Sequence, residues 1–374
     1  MRVLILADTL FASREKPLLS QLEMGLADEG VQVFQAVPDI VARTMDPEVF
    51  AQRVTYSPRV PGVFRLLGVR RLIEALAKVE RLDEPSDIDI VHVLGGAAWK
   101  LGQSLARELD AGLALEIWRR GMTQRVSQLK ATDEDRITLL APDTTVETAL
   151  REAHRLSRDG KSNTIARKAT INLATWGVLT SDARVPLSQD RALSFMIVGS
   201  GRTAENYHSL LQGIAPVIQQ RPDTQIFCDA HAARQSQLWP TARRLKLLSN
   251  LSLVEDLESR RDLLLAGDFL LYPEAAGEQR SVLLSAMGAG VVVVAAVDRY
   301  VAMLKDNVTA RLVDSAQAAG WQIALRDLLA DVAGTRLLAA RARAYVEQER
   351  KASAYIHQVL KAYDKLISMK HAEA

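Results

Sequence analysis

The stretch 265–296 limits the fold of this chain more than any other part of the sequence. It contains a short apolar run, Phe269–Tyr272, which Pro273 stops, and a β-branched run, Val291–Val294. Uninterrupted runs of this kind are typical of parallel strands that are buried on both faces. We therefore expect a strand-loop-helix-strand unit of an α/β fold, with its loop at the carboxyl end of a strand, where such sheets bind ligands.

The helix in this unit follows a polar loop, Glu274–Arg280, and covers Ser281–Met287 before Gly288 and Gly290 end it. A helix N-terminus presents free N–H groups and the positive end of its dipole to an anion. The arrangement predicts a loop that faces a phosphate group.

The same stretch resembles the donor-binding segment of the retaining glycosyltransferases of family 4, which have the GT-B fold. That segment reads aspartate, short strand, Pro-Ser, Glu-x7-Glu, Ala-Met-Ala, Gly, Pro and Val-Val-Ala. The positions that fit this pattern are Asp268, Pro273, Ala286, Met287, Gly290, Val293, Val294 and Ala295. The first family glutamate falls at Gly277, next to Glu278, and the second falls at Ser285.

The resemblance implies an α/β fold with two Rossmann-like domains that face each other across a cleft. A length of 374 residues independently suggests two domains. We expect an acceptor domain over 1–182, a nucleotide-sugar donor domain over 190–335, and C-terminal helices over 336–374 that cross back to the first domain. The C-terminal helix should pack on that first domain.

Composition and charge indicate which classes of protein are excluded. The formal net charge of +2 implies no nucleic-acid partner, and the single cysteine, Cys228, excludes a disulfide framework. The sequence shows no signal peptide and no apolar run long enough to span a membrane. We expect a cytoplasmic protein. The scattered histidines predict no metal site, and we expect no cofactor besides a nucleotide-diphosphate sugar as co-substrate.

The second domain should hold the donor diphosphate in the loop after its first strand. Gly199, Gly201 and Arg202 precede a helix, and an anion can bind to the N–H groups at such a place. In the resembling family this loop carries an arginine and a lysine that neutralise the diphosphate. Arg202 is close to the place of the arginine, and Asn206 stands in the place of the lysine.

The remaining donor contacts come from the stretch described first. The resemblance implies that Glu278 and Ser285 hold the sugar or the ribose, while Ser281 opens the helix whose N-terminus faces the donor diphosphate. A leaving nucleoside diphosphate gains negative charge, which a cation and a helix N-terminus stabilise. Arg202 and Glu278 are therefore the predicted catalytic residues.

In the first domain, Gly95 and Gly96 follow a strand and are predicted to form a ligand loop. His92 lies within that strand and is expected to be a packed core histidine. The family has a sugar-contacting histidine at the place of Trp118, whose ring could stack on a sugar face. The first loop, residues 8–13, contains no glycine, and no phosphate role is assigned to it.

The segment 58–79 is basic and amphipathic, with Arg65, Arg70 and Arg71 between apolar residues. Two interpretations are open. One is a solvated helix with a core-facing stripe. The other is a helix at the membrane surface, which would add peripheral contact with the inner membrane face.

Three functions follow from these observations. The first is a glycosyltransferase of hexosyltransferase type, which moves a sugar from a nucleotide-sugar to a glycan or lipid-linked acceptor. The second is a catalytically silent GT-B protein that serves as a scaffold or partner of another glycosyltransferase, because the family residues are altered at Trp118, Asn206 and Ser285. The third is another GT-B activity, such as a sugar-nucleotide epimerase.

Overall fold

A computed structural model of the chain describes residues 1–43, 45, 51–58, 65–79, 87–158, 163–180 and 182–373. The chain forms two compact units. The first consists of Met1–Trp176 together with Ala352–Ala374, and the second consists of Gly177–Lys351. The chain therefore leaves the first unit and returns to it at the end.

The first unit is built on a parallel sheet with the strand order β3-β2-β1-β4-β5-β6-β7. Its strands are β1 Arg2–Ala7, β2 Gln32–Pro38, β3 Gln52–Tyr56, β4 Ile90–Leu94, β5 Gly112–Glu116, β6 Ile137–Ala141 and β7 Thr170–Leu173. The strand order reverses between β1 and β4, which makes their carboxyl ends the switch point of this sheet.

Helices cover this sheet. They are α1 Thr9–Arg14, α2 Lys16–Asp28, α3 Asp39–Ala42, α4 Arg65–Leu76, α5 Trp99–Glu108, α6 Arg120–Val126, α7 Thr144–Arg158, α8 Ile165–Lys168 and α16 Ala352–Glu373. A single turn of 3-10 helix, Gly96–Ala98, precedes α5. Four of the strands, β1, β4, β5 and β6, carry almost only buried side chains, as expected for strands covered on both faces.

The second unit repeats this plan with the strand order β10-β9-β8-β11-β12-β13. Its strands are β8 Ser194–Ile197, β9 Gln225–Asp229, β10 Leu251–Val254, β11 Phe269–Tyr272, β12 Val292–Ala296 and β13 Arg311–Val313. All pairs are parallel. The switch point lies between β8 and β11, so the two loops that the sequence assigned to the donor meet at one place.

The helices of the second unit are α9 Ala204–Gln220, α10 Ala230–Gln235, α11 Leu238–Arg244, α12 Arg261–Leu264, α13 Ser281–Ala289, α14 Ala318–Ala330 and α15 Val332–Glu349. Its core contains the strands β8, β11 and β12 together with α9 and α14, and Trp321 is fully buried there.

The last helix is tied to the first sheet by buried polar groups. The Glu116 carboxylate accepts hydrogen bonds from the Tyr355 hydroxyl, at 3.1 Å from each oxygen, and from the indole N–H of Trp176. His92 Nε2 lies 3.1 Å from Glu116, and its Nδ1 lies 2.6 Å from the Tyr363 hydroxyl. A neutral imidazole protonated on Nε2 satisfies both contacts. His92 is thus the core histidine that the sequence predicted.

The α/β fold and the packing of the C-terminal helix on the first unit are confirmed. The apolar periodicity of residues 337–367 predicts one continuous helix, and this prediction is wrong, because the structure divides the segment into α15 and α16 at Arg350 and Lys351. Arg350 is buried and its Nε donates to the Tyr345 hydroxyl at 2.7 Å. The chain passes from the second unit to the first at this break.

The basic segment 58–79 contains α4, while residues 59–64 fall outside the described residues. Val69, Leu72 and Leu76 are buried, and Arg70 and Arg71 are exposed, so α4 has a core-facing stripe. Within the described residues, no helix combines the length and apolar character needed to cross a membrane. Peripheral membrane contact stays a prediction.

Candidate functional site

The loop between β8 and α9 has its backbone N–H groups directed at the chain's own side chains. The amide of Gly199 donates to Glu258 Oε1 at 3.0 Å, and the amide of Gly201 donates to the Tyr207 hydroxyl at 3.1 Å. The amide of Ser200 donates to Glu274 at 2.6 Å. Internal acceptors thus satisfy three successive donors of this loop.

Glu274 is the main acceptor. It follows β11 directly after Pro273 and is buried. One carboxylate oxygen accepts from the Ser200 amide, and the other accepts from the Ser200 hydroxyl at 2.6 Å and from the Arg202 amide at 3.2 Å. A carboxylate and a phosphate present similar anionic oxygens to N–H donors. The protein's own carboxylate therefore occupies the place that the sequence predicted for the donor diphosphate.

Gly199 makes this approach possible. Its φ of +130° lies in a region that L side chains rarely adopt, and a Cβ atom would lie 2.3 Å from the Tyr207 hydroxyl and 2.8 Å from Glu274 Oε2. Burial, together with the nearby Glu274 carboxylate, raises the pKa of Tyr207 well above its usual range. The neutral hydroxyl can then accept from Gly201 and donate to the carbonyl of Val198, 3.4 Å away.

A buried ion pair supports the same loop from the other side. Arg280 is fully buried and pairs with Glu258, which also accepts the Gly199 amide. Removing one partner of such a pair is costly, because the other charge is left buried without compensation. Arg280 also immediately precedes α13, so this pair fixes the start of that helix relative to the β8 loop.

The two predicted catalytic residues lie close together. The Arg202 side chain is 53% exposed, and its guanidinium lies 3.8 Å from Glu278 Oε1. Glu278 is buried. The Arg202 side chain is thus open to solvent while its backbone is fixed by Glu274, which suits a cation that meets a ligand.

Asn206, in the place of the family lysine, has a structural role. Its amide nitrogen donates to the carbonyl of Pro273 and to the Ser315 hydroxyl, both at 2.8 Å. These bonds join the start of α9 to the end of β11. A neutral side chain held in this way adds no positive charge to the site.

The two serines of α13 are also engaged. The Ser285 hydroxyl donates to the carbonyl of Ser281 at 3.1 Å, one turn earlier in the same helix. The Ser281 hydroxyl accepts from the Arg261 guanidinium at 3.2 Å. Ser281 opens α13, which is nine residues long and has no side-chain hydrogen bond at its N-cap, and the positive end of its dipole lies at this end of the helix.

Sequence reasoning missed three residues that shape this site, namely Tyr207, Glu258 and Glu274. The signal for Glu274 was present, because the resembling family has serine directly after the proline that Pro273 matches. Tyr272, at the end of β11, was also missed. Its hydroxyl is buried without a hydrogen-bond partner in the described residues, and burial raises its pKa above the usual range.

In the first unit, the glycine loop after β4 is packed against a carboxylate. A Cβ atom on Gly95, whose φ is +113°, would lie 2.1 Å from the Asp8 carboxyl carbon. Asp8 accepts from the amides of Phe11 at 2.8 Å and Ala97 at 3.0 Å, and burial raises its pKa. Gly95 thus makes room for Asp8, and Gly96 is partly buried beside Met122 and Arg125.

The prediction that Trp118 faces a sugar was wrong. Trp118 is 1% exposed and stacks on Trp176 at 6.5 Å between ring centroids, with the edge of Phe11 at 5.5 Å. The Arg119 guanidinium lies over its ring at 5.5 Å. Trp118 is therefore a core residue of the first unit.

No protein-family profile matches the chain, and no curated protein sequence matches it. Solved structures match over nearly its whole length. A glycosyltransferase from Rickettsia africae ESF-5 is 13% identical, with 98% of each chain covered and a TM-score of 0.68. Anabaena HepE in complex with UDP-glucose is 12% identical, with 98% of this chain and 100% of that chain covered and a TM-score of 0.68.

The fold is GT-B. A putative UDP-N-acetylglucosamine 2-epimerase from Listeria monocytogenes shares it, at 15% identity and a TM-score of 0.60, with 100% of this chain and 97% of that chain covered. Because transferases and a putative epimerase share the architecture, the function has to be argued from the side chains. The described residues hold no group of three His, Cys, Asp or Glu arranged to bind a metal ion.

Proposed function

We propose that this chain is a glycosyltransferase that moves a sugar from a nucleotide-sugar donor to a glycan or lipid-linked acceptor. Its fold is that of proteins whose structures were determined with UDP and UDP-glucose. The segment 265–296 resembles the donor segment of the retaining family 4, and we assign the chain to that kind of transferase.

One observation carries the proposal. The exposed guanidinium of Arg202 stands at the carboxyl ends of β8 and β11, 3.8 Å from Glu278. The loop that carries Glu278 leads directly into the uncapped α13. A cation and a helix N-terminus at one switch point are the groups that stabilise a departing diphosphate.

The chemistry divides between these residues. Arg202 would hold a diphosphate oxygen and offset the charge that develops as the sugar leaves. Glu278 would accept a hydroxyl of the sugar or ribose. The amides of Ser200 and Arg202 take no part, because Glu274 already satisfies them. This donor mode relies on side-chain charge more than on the glycine loop.

Binding of candidate donors tests the proposal. Differential scanning fluorimetry with UDP-glucose, UDP-N-acetylglucosamine and GDP-mannose should raise the melting temperature with at least one of them, since a ligand that binds only the folded state stabilises it by mass action. Arg202→Ala should lose that shift. The control Arg221→Ala removes an exposed arginine at the other end of α9 and should keep it.

Two results would contradict the proposal in different ways. A shift that survives Arg202→Ala undiminished would remove Arg202 from the donor site. The absence of any shift and of any donor hydrolysis would exclude the transferase.

The second result would favour a catalytically silent GT-B protein that acts as a scaffold or partner of another glycosyltransferase. Occupation of the loop amides by Glu274 is the observation that supports this alternative.

A further inference from the structure

The first unit contains a cavity of about 360 Å³ at the carboxyl ends of β1 and β3. Its walls come from α4 and from the first turn of α5. The cavity lies beside the switch point between β1 and β4, where open α/β sheets bind ligands. Its volume falls at the lower end of the range of small-molecule sites, about 300–1,000 Å³, which suits a ligand of monosaccharide-phosphate size.

Asp8 forms the floor of this cavity. It is 5% exposed, and each carboxylate oxygen accepts one backbone N–H, from Phe11 and from Ala97. A carboxylate oxygen can accept more than one hydrogen bond. The carboxylate is therefore fixed in position and retains acceptor capacity toward the cavity, which is what a ligand hydroxyl requires.

Two cations stand at the cavity wall. Arg71 on α4 and Lys100 on α5 both line the cavity and are exposed to solvent. No carboxylate in the described part of the chain forms an ion pair with either side chain. The N-terminus of α5, ten residues long, opens toward the same space without a side-chain cap at Ala98. Together these groups favour an anion at the mouth of the cavity.

Apolar atoms complete the lining. Leu72, Leu101 and Pro58 face the cavity, and the Tyr56 hydroxyl donates to the carbonyl of Ala7 at 2.8 Å, which presents the ring rather than the hydroxyl as contact surface. The C–H groups of a sugar ring form an apolar face, and such a face can pack against these side chains. The lining thus offers separate places for a charge, a ring and a hydroxyl.

We infer that this cavity binds a hydroxylated anion of the sugar-phosphate class. A ligand hydroxyl donates to Asp8, and the phosphate lies between Arg71, Lys100 and the N-terminus of α5. The site goes beyond the proposed function, because it assigns a ligand to the first unit whether or not the second unit binds a donor.

Isothermal titration of the full chain with glucose 6-phosphate tests the site. We expect saturable binding in the millimolar range or tighter, and binding at least about tenfold weaker in the double variant Arg71→Gln with Lys100→Gln, since each charge-assisted contact contributes roughly 1 kcal/mol or more. Both positions are exposed, so the variant should fold. Inorganic phosphate alone should bind more weakly than glucose 6-phosphate, because it lacks the ring and the hydroxyl.

The matched control removes two positive charges from exposed positions of the first unit that do not line the cavity. Arg70 neighbours Arg71 on α4, and Lys361 is an exposed residue of α16. The variant Arg70→Gln with Lys361→Gln should bind glucose 6-phosphate as the unchanged chain does. If both double variants lose the same affinity for glucose 6-phosphate, the loss is explained by net charge and the proposed site is wrong. The absence of saturable binding to the unchanged chain would also contradict the proposal.

The variant Asp8→Asn tests the hydroxyl contact separately. Asparagine keeps the side-chain oxygen that caps α1 but replaces the oxygen that accepts the Ala97 amide with an NH2 donor, so glucose 6-phosphate should bind several-fold more weakly, while inorganic phosphate, which the exposed Arg71 and Lys100 hold, should lose less affinity. Binding of inorganic phosphate that falls equally would contradict the assignment of a hydroxyl to Asp8.

Vesicles identify the source of the ligand. Vesicles that contain phosphatidylinositol 4-phosphate should be bound through Arg71 and Lys100 if the natural ligand is a lipid headgroup. If only glucose 6-phosphate binds, the ligand is a free sugar phosphate. Neither outcome depends on UDP-glucose binding in the second unit, so failure of this site and failure of the proposed function can be told apart.

Discussion

The two units place a glycine against a carboxylate at the switch point of their sheets, but they exchange the two partners. In the first unit the carboxylate, Asp8, follows the first strand, and the glycine, Gly95, follows β4. In the second unit the glycine, Gly199, follows the first strand, and the carboxylate, Glu274, follows β11. The carboxylate at the switch point thus comes from the loop after the first strand in one unit and from the loop on the other side of the switch point in the other unit.

This difference determines what each switch point can bind. Asp8 accepts hydrogen bonds from two amides, and a cavity lined by Arg71 and Lys100 remains beside it. Glu274 accepts hydrogen bonds from two amides and from the Ser200 hydroxyl, so few N–H donors of the β8 loop remain for a ligand. The backbone amides of a glycine-containing loop can therefore donate to the protein's own side chains instead of a ligand. A loop without glycine can still border a ligand cavity.

The largest expected effect comes from filling the space that Gly95 leaves for Asp8. Gly95→Ala should lower the free energy of unfolding of the first unit by about 3 kcal/mol or more, because the substitution combines an unfavourable φ with a clash against a buried carboxylate. The measurement is urea unfolding followed by circular dichroism.

Gly30→Ala is the control for this variant. Its φ of +78° is also left-handed, but no atom lies within 4 Å of the added Cβ. It should cost only about 1 kcal/mol. Equal losses in the two variants would show that the contact with Asp8 is unimportant.

The next effect, which is no larger and depends on pH, should come from a buried carboxylate that lacks two backbone N–H donors of the kind that Asp8 and Glu274 have. Glu23 on α2 accepts a hydrogen bond from Gln35 Nε2 at 2.5 Å, and its second oxygen is buried without a hydrogen-bond partner in the described residues. Burial raises the pKa of Glu23 to about 7. Because the folded pKa lies above the unfolded value, the protonated group favours folding at low pH, and this contribution is lost as the pH rises through about 7.

Glu23→Gln should remove that dependence. Between about pH 4 and about pH 8, the unchanged chain should lose roughly 3 kcal/mol of unfolding free energy relative to the variant. Urea midpoints of both proteins across this range provide the test. A difference that stays constant with pH would mean that the Glu23 pKa is not raised by folding.

The smallest expected change concerns Glu274. Glu274→Ser restores the residue type of the resembling family and frees the amides of Ser200 and Arg202, so the affinity for UDP should rise about tenfold, since hydrogen bonds to a charged group contribute roughly 1.5–3 kcal/mol. Isothermal titration measures it. Glu205→Ser removes an equal charge from an exposed position at the start of α9 and should change the affinity less. An equal gain in both variants would indicate a general charge effect.

Sequence reasoning recovered the parts of the molecule that depend on local pattern. The strands β11 and β12 and the helix α13 follow from apolar runs and from the glycines that end the helix. The sheet β8-β11 then places Arg202 near Glu278, as the β-loop-α order requires. These features needed no knowledge of distant contacts.

The features that the sequence did not predict depend on distant partners. Glu274 and the β8 loop are more than seventy residues apart, and only the folded sheet shows that one satisfies the other. Trp118 looked like a stacking residue because a strand end gives no information on what covers it; Trp176 does so. The break at Arg350 was missed because the apolar periodicity continues across it, while its cause is the change from one unit to the other.

The return of α16 to the first unit has a consequence for biosynthesis. The ribosome delivers Tyr355 and Tyr363 only after all of the second unit has been made. Until then, Glu116 and His92 of the nascent first sheet lack their tyrosine partners, so these buried polar groups are not yet satisfied. The packing of the first sheet is thus completed only by a helix that is synthesised after the second unit.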